Sequence, residues 1–156
     1  MRCALRREGG YSLIELISII VVIGALTAFA SSRFVDQTGF ASRGFYDQAQ
    51  ALVAYAQKIA VAQRRTNAAP IYVAIAANGI RVCYDAACAT PVPDPNTGNA
   101  LTLNAPSGIT LTPVTTFSFG NAGAPSAAVT IRVNSTGVGD INRTFFVETQ
   151  TGYVHP

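Results

Sequence analysis

Three sets of residues in this chain are of types that could do chemistry. The first is Glu15, the one charged residue between Tyr11 and Ser32. Behind it runs Leu16-Ile17-Ser18-Ile19-Ile20-Val21-Val22-Ile23-Gly24-Ala25-Leu26-Thr27-Ala28-Phe29-Ala30. A carboxylate in such a run costs about 2.5–3.5 kcal/mol at mid-membrane and less near an interface, so a partner for it is expected. The second set is Cys83 and Cys88, five positions apart. They lack the Cys-x-x-Cys spacing, and zinc needs about four ligands where only His155 could join, so a structural disulfide closing a turn is expected rather than metal or redox chemistry. The third is His155, the only histidine and the penultimate residue. General acid–base work needs positioned partners, so this side chain is expected to be solvated. No Ser-His-Asp set, paired-carboxylate site or phosphate loop is visible in the sequence. No enzyme, cofactor or metal is expected.

The elements that hold these residues follow from hydrophobic patterning. Residues 11–32 are apolar all round, with no polar face at helical spacing, which fits a helix in a membrane or inside an assembly. At about 1.5 Å per residue they would span roughly 33 Å, about a bilayer core. Charges return over residues 33–43, and Gly39 and Gly44 predict a loosened or broken helix there. Phe45, Ala49, Leu52, Ala56, Ile59, Ala60 and Gln63 then recur at 4-3-4-3 spacing, predicting an amphipathic helix of about 20 residues. Asp47 is placed in its first turn and Arg64 and Arg65 at its end, as the helix dipole prefers, with Gln48, Gln57 and Lys58 on the solvent face.

Beyond residue 65 the pattern turns to strands. Ile71–Ala76 and Ile80–Tyr84 flank Asn78-Gly79, a hairpin signal. Pro91, Pro93 and Pro95 predict an irregular loop over 85–100. Further strands are expected at Leu101–Leu103, Ile109–Thr112, Thr115–Phe119, Val129–Val133, Phe145–Glu148 and Tyr153-Val154, with turns at 120–125 and 137–140. The fold class is α+β: a long N-terminal helix whose second half packs on an antiparallel β-domain. The segments are 1–10, a basic leader; 11–32, the transmembrane or assembly helix; 33–65, linker and amphipathic helix; and 66–156, the β-rich domain.

Of the 156 residues, 49% are hydrophobic and 12% charged, with a formal charge of +3. Arg2, Arg6 and Arg7 precede the apolar run; basic residues stay cytoplasmic, which directs everything after Ser32 out of the cytoplasm. There Cys83 and Cys88 would meet oxidising conditions. If residues 1–10 are removed, three positive charges and one negative leave with them, and +1 remains. So small a charge gives little long-range attraction for nucleic acid.

Gly10-Tyr11-Ser12-Leu13-Ile14-Glu15-Leu16 resembles the class III signal of type IV pilins and type II secretion pseudopilins. The resemblance implies that a prepilin peptidase cuts between Gly10 and Tyr11 and methylates the new amino terminus at Tyr11. It places the family's assembly glutamate at Glu15 and a common glycine at Gly24. Tyr11 and Ser12 stand where the family usually has Phe and Thr, and Ser32 where a kinking proline is common. Residues 51–65, the following hairpin, Phe117-Ser118-Phe119, Val129–Val133 and Thr151-Gly152-Tyr153-Val154 resemble minor pilins and pseudopilins of the FimT/GspH type, including MSHA-pilus minor pilins. The implied function is a minor subunit of a type IV, MSHA-like pilus, in filament assembly, at the tip or in adhesion. Its partners would be the peptidase, other pilin subunits, the pilus assembly platform and the inner membrane, with the C-terminal domain periplasmic before assembly. The alternatives are a type II secretion pseudopilin and a DNA-uptake pilin. DNA binding is disfavoured, because the last six residues carry no arginine or lysine and only Arg143 is near. An ordinary signal peptide, with Ala28-Phe29-Ala30 as its cleavage site, competes for the N-terminus, as does a plain membrane anchor; neither accounts for Glu15.

Overall fold

The computed structural model describes residues 12–31, 37–63, 69–136 and 142–156. The chain divides into two units, Met1–Val35 and Asp36–Pro156. The first holds helix α1, Leu13–Ser31, in which large apolar side chains are exposed on every side, from Leu13 and Ile14 to Ile23 and Leu26. Two of its hydroxyls are turned inward: Ser18 Oγ donates to the Glu15 carbonyl at 2.8 Å, and Thr27 Oγ1 to those of Ile23 and Gly24 at 3.0 and 2.9 Å. These bonds leave the surface of α1 between Leu16 and Ala28 almost wholly hydrocarbon. Its 19 residues rise about 28 Å, against a bilayer core of about 30 Å. Among the described residues no helix is long and apolar enough to cross a membrane. The segment read as membrane-spanning, residues 11–32, reaches past α1 at both ends, where Tyr11 and Ser32 lie outside the described residues.

The second unit begins with α2, Gln37–Ala62, followed by β1 (Ile71–Ala76), β2 (Gly79–Cys83), β3 (Thr102–Asn104), β4 (Ile109–Thr112), β5 (Thr115–Phe119), β6 (Val129–Ser135), β7 (Arg143–Val147) and β8 (Val154–His155). They form two four-stranded antiparallel sheets, ordered β3-β2-β1-β5 and β4-β6-β7-β8. Period-2 alternation does the sorting. Ile71, Val73 and Ile75 of β1 and Val129, Ile131 and Val133 of β6 all turn into one core, which α2 closes with Phe45, Tyr46, Ala49, Val53, Ala56 and Ala60. Three alanines among those six helical positions let the helix backbone come close to the strands.

Two helices and two antiparallel sheets fit the predicted α+β class, with four corrections; residues 32–36, between the helices, lie outside the described residues. Gly39 and Gly44 do not break the helix: α2 runs through both. Each glycine costs about 1 kcal/mol relative to alanine, which the burial of Phe45, Tyr46 and the residues beyond offsets. Because α2 starts at Gln37, Asp47 sits mid-helix rather than in its first turn, which holds no acid; Arg64 and Arg65 lie outside the described residues. Of the predicted apolar stripe, Phe45, Ala49, Ala56 and Ala60 are buried, joined by Tyr46 and Val53, while Leu52 and Ile59 are partly buried.

The third correction concerns residues 85–100, which are ordered by pairing. Val92 donates to the Val82 carbonyl at 2.9 Å, Leu101 to that of Val92 at 2.7 Å, and Asp94 to that of Asn99 at 2.7 Å. The prolines occupy alternate positions 91, 93 and 95, so the amides they remove are not the ones the ladder uses. The fourth is Gln57, read as solvated. Its amide donates to the Gly123 carbonyl at 3.1 Å and the Thr151 carbonyl at 2.6 Å. Gly123 and Gly152 both take positive φ (83° and 67°), and a side chain on Gly152 would strike the Gly123 carbonyl and the Gln57 amide. Several strand ends move by one or two residues, β6 reaching Ser135 and β7 starting at Arg143. The turn expected at 137–140 lies outside the described residues.

Candidate assembly helix and disulfide-closed loop

Gly10 and Tyr11, the expected cleavage pair, lie outside the described residues. Glu15 is in the first turn of α1, its amide donating to the Ser12 carbonyl at 3.0 Å. Ser12-x-x-Glu15 has the spacing of a capping box, a signal for this helix start that the sequence reading passed over. A carboxylate here also faces the positive end of the helix dipole, which stabilises it in part without a partner. The one acid of the segment thus stands where a helix tolerates it best, at the head of an otherwise uncharged cylinder. Gly24 meets nothing within 4 Å at its missing side chain, so no contact within the chain demands a glycine there.

Cys83 and Cys88 are joined by a disulfide, their Cα atoms 5.1 Å apart. Cys83 ends β2 and is fully buried. Cys88 takes a positive φ of 57°, uncommon for a side chain with a Cβ. Asp85 builds the turn that holds it there: its carboxylate accepts from the amides of Ala89 (3.0 Å) and Thr90 (2.6 Å), and its carbonyl accepts from Cys88 (3.1 Å). Those amide bonds, first that of Ala89, stabilise the charged form and hold the Asp85 carboxyl below its ordinary range. Aspartate before a turn with two free amides behind it is a recognisable pattern that the sequence reading did not use.

His155 is not a free terminal side chain. It lies in β8, opposite Phe146 of β7, with its ring stacked on Phe146 and Tyr153. Its Nε2 is 3.0 Å from Glu148 Oε1. That bond, reinforced by the Pro156 carbonyl at Nδ1, pushes the imidazole pKa above its ordinary value. Arg143, considered for nucleic acid, lies over the Tyr46 ring at 5.7 Å. Tyr46 in turn donates to the Thr144 carbonyl and meets Phe145 edge-on. Desolvation raises the Tyr46 pKa, against an opposing pull from Arg143. Among the described residues no group of three or more His, Cys, Asp or Glu could hold a metal ion.

The chain therefore combines an apolar helix, headed by one acid, with a separate α+β unit whose amphipathic helix closes two antiparallel sheets. Over 59 residues it is 44% identical to the type IV narrow pilus major component PilA5 of Thermus thermophilus, which covers 38% of this chain and 51% of the relative. The chain thus spans about half the length of the curated relative it matches. No family model matches it, and no solved structure does.

Proposed function

We propose that this protein is a subunit of a type IV pilus-like filament. The observation that carries the proposal is α1, a helix with apolar side chains exposed all round and a single acid in its first turn. The partial similarity to a type IV pilus component also supports it. A surface of this kind needs an apolar surrounding, and the same surface suits two in succession: lipid, while the subunit waits in the inner membrane, and neighbouring helices, once it enters a filament. On this reading the protein is a substrate of the prepilin peptidase and not itself an enzyme. Its partners are that peptidase, the assembly platform and other pilin subunits, and its α+β unit projects into the periplasm before assembly.

The finer reading is a minor subunit of MSHA-like type, supported by the C-terminal strand pattern that resembles such pilins. Filaments sheared from cells test it: the protein should be recovered there at low abundance beside a more plentiful subunit. Recovery only from membrane and periplasm would favour a type II secretion pseudopilin instead. The N-terminus is tested by mass spectrometry of the mature chain. Cleavage between Gly10 and Tyr11, with one added methyl group on Tyr11, is expected. A mature start at Ser31 would identify an ordinary secreted domain and end the filament reading.

A further inference from the structure

The sheet β3-β2-β1-β5 has an outer face, turned away from the core, on which a cavity of about 320 Å³ opens. Strand register builds it. Ala74 stands opposite Arg81, which stands opposite Thr102; Ala76 stands opposite Gly79, which stands opposite Asn104. Residues paired directly across strands share a face. This face is opposite to that of the buried Ile75 and Ile80. Ala74, Ala76 and Gly79 make the floor low beside the long Arg81 side chain. A Cβ at Gly79 would run into the Leu103 carbonyl, so the sheet itself keeps that position bare. Cys83, two residues on from Arg81, turns to the same face, and its bridge brings Cys88 back to line the cavity.

The polar groups here are unused. Arg81 is exposed, and its guanidinium has no hydrogen-bond or ion-pair partner among the described residues. The same holds for the side-chain amides of Asn78, in the β1–β2 turn, and Asn104, at the end of β3, which both line the cavity; the Ala105 amide donates to the Asn78 carbonyl at 2.8 Å and ties that turn to the end of β3.

We propose that this depression binds one carboxylated monosaccharide unit, such as a hexuronate. A guanidinium offers two parallel N–H donors that match a carboxylate. Two primary amides, each both donor and acceptor, match hydroxyls that also do both. The methyls of Ala74 and Ala76 give a small apolar patch for the C–H face of a sugar ring. The volume lies at the small end of ligand cavities and admits one ring rather than a chain. The proposal does not depend on the filament reading.

Isothermal titration of the full-length protein in detergent micelles tests it, with galacturonate as the probe and galactose, acetate and inorganic phosphate as comparisons. Galacturonate should bind with a Kd on the order of 1 mM, the affinity its few heavy atoms allow. Galactose, lacking the carboxylate, and acetate, lacking the ring, should each bind at least about tenfold more weakly. Arg81→Ala should weaken galacturonate binding about tenfold or more, and Arg81→Lys less, because lysine keeps the charge without the fork. Asn104→Ala should weaken it several-fold, and Arg132→Ala, an exposed arginine of the other sheet, should leave it unchanged. Circular dichroism checks that each variant is folded; should Arg81→Ala not fold, Arg81→Lys and Asn104→Ala carry the test. Absence of binding at about 20 mM galacturonate, twentyfold above that Kd, overturns the proposal. So does acetate or phosphate binding as tightly as galacturonate, or undiminished binding in the folded arginine variants.

Discussion

At the scale of single residues, Gln57 shows how a polar side chain on an apparently solvated helix face can hold distant loops together. One amide nitrogen serves the carbonyls of Gly123 and Thr151, 66 and 94 positions away in sequence. Gln57→Ala removes both bonds and should destabilise the protein by about 1–3 kcal/mol, read from urea denaturation midpoints at constant slope. A change within error of zero would mean that water replaces the amide without loss. His155 makes a second residue-scale prediction. Its folded pKa is raised above the unfolded value by Glu148, so this contact contributes fully below the ordinary histidine pKa. The contribution is lost as pH rises through the folded pKa. An NMR titration should place the His155 midpoint above about 6.5, and Glu148→Gln should bring it down. The stability difference between the two proteins should be larger at pH 5 than at pH 9; a difference independent of pH would contradict the contact.

At the scale of elements, the loop from Cys83 to Cys88 is held covalently and by Asp85 together. Labelling of unreduced, folded protein with a thiol reagent should leave both cysteines unmodified. Replacing both with serine should cost about 2 kcal/mol, the modest amount that a short closed loop predicts. Labelling of both thiols in the native protein would refute the bridge. This loop also marks where sequence reasoning stops. The disulfide was legible, because two cysteines at a turn after a strand leave few other uses. The pairing of residues 91–100 was not: three prolines in five positions have the look of a break, and which amides the neighbouring strand needs is set outside the segment. The hairpin at Asn78-Gly79 and the alternation in β1 and β6 were legible, since side-chain period 2 reports directly which face is buried. Their division into two sheets was not, because register between distant strands is set by packing that no local pattern encodes. The start of α2 at Gln37 was not legible either, because the tertiary burial that overrides the low helix propensity of Gly39 and Gly44 leaves no local pattern.

At the scale of the whole molecule, the proposed filament role divides the work between the apolar helix, as a surface for lipid or neighbouring helices, and the α+β unit. Glu15 is the discriminating feature of the first. Apolar contacts along α1 are interchangeable, so they favour association without fixing how far one helix slides past the next. A charge can fix it. Cleavage after Gly10 would free an amine on Tyr11, four positions before Glu15, and the resemblance to pilins implies that in a filament the amine of a neighbouring subunit pairs with this carboxylate. Opposite charges attract strongly at low dielectric, although desolvation cancels much of the gain. The amount of each variant in sheared filaments, relative to its level in the membrane, tests this most directly. Glu15→Ala should leave cleavage and the fold of the second unit intact while abolishing or strongly reducing incorporation, with Glu15→Gln intermediate. Incorporation of Glu15→Ala at the wild-type ratio would contradict the role assigned to Glu15 and to the helix it heads.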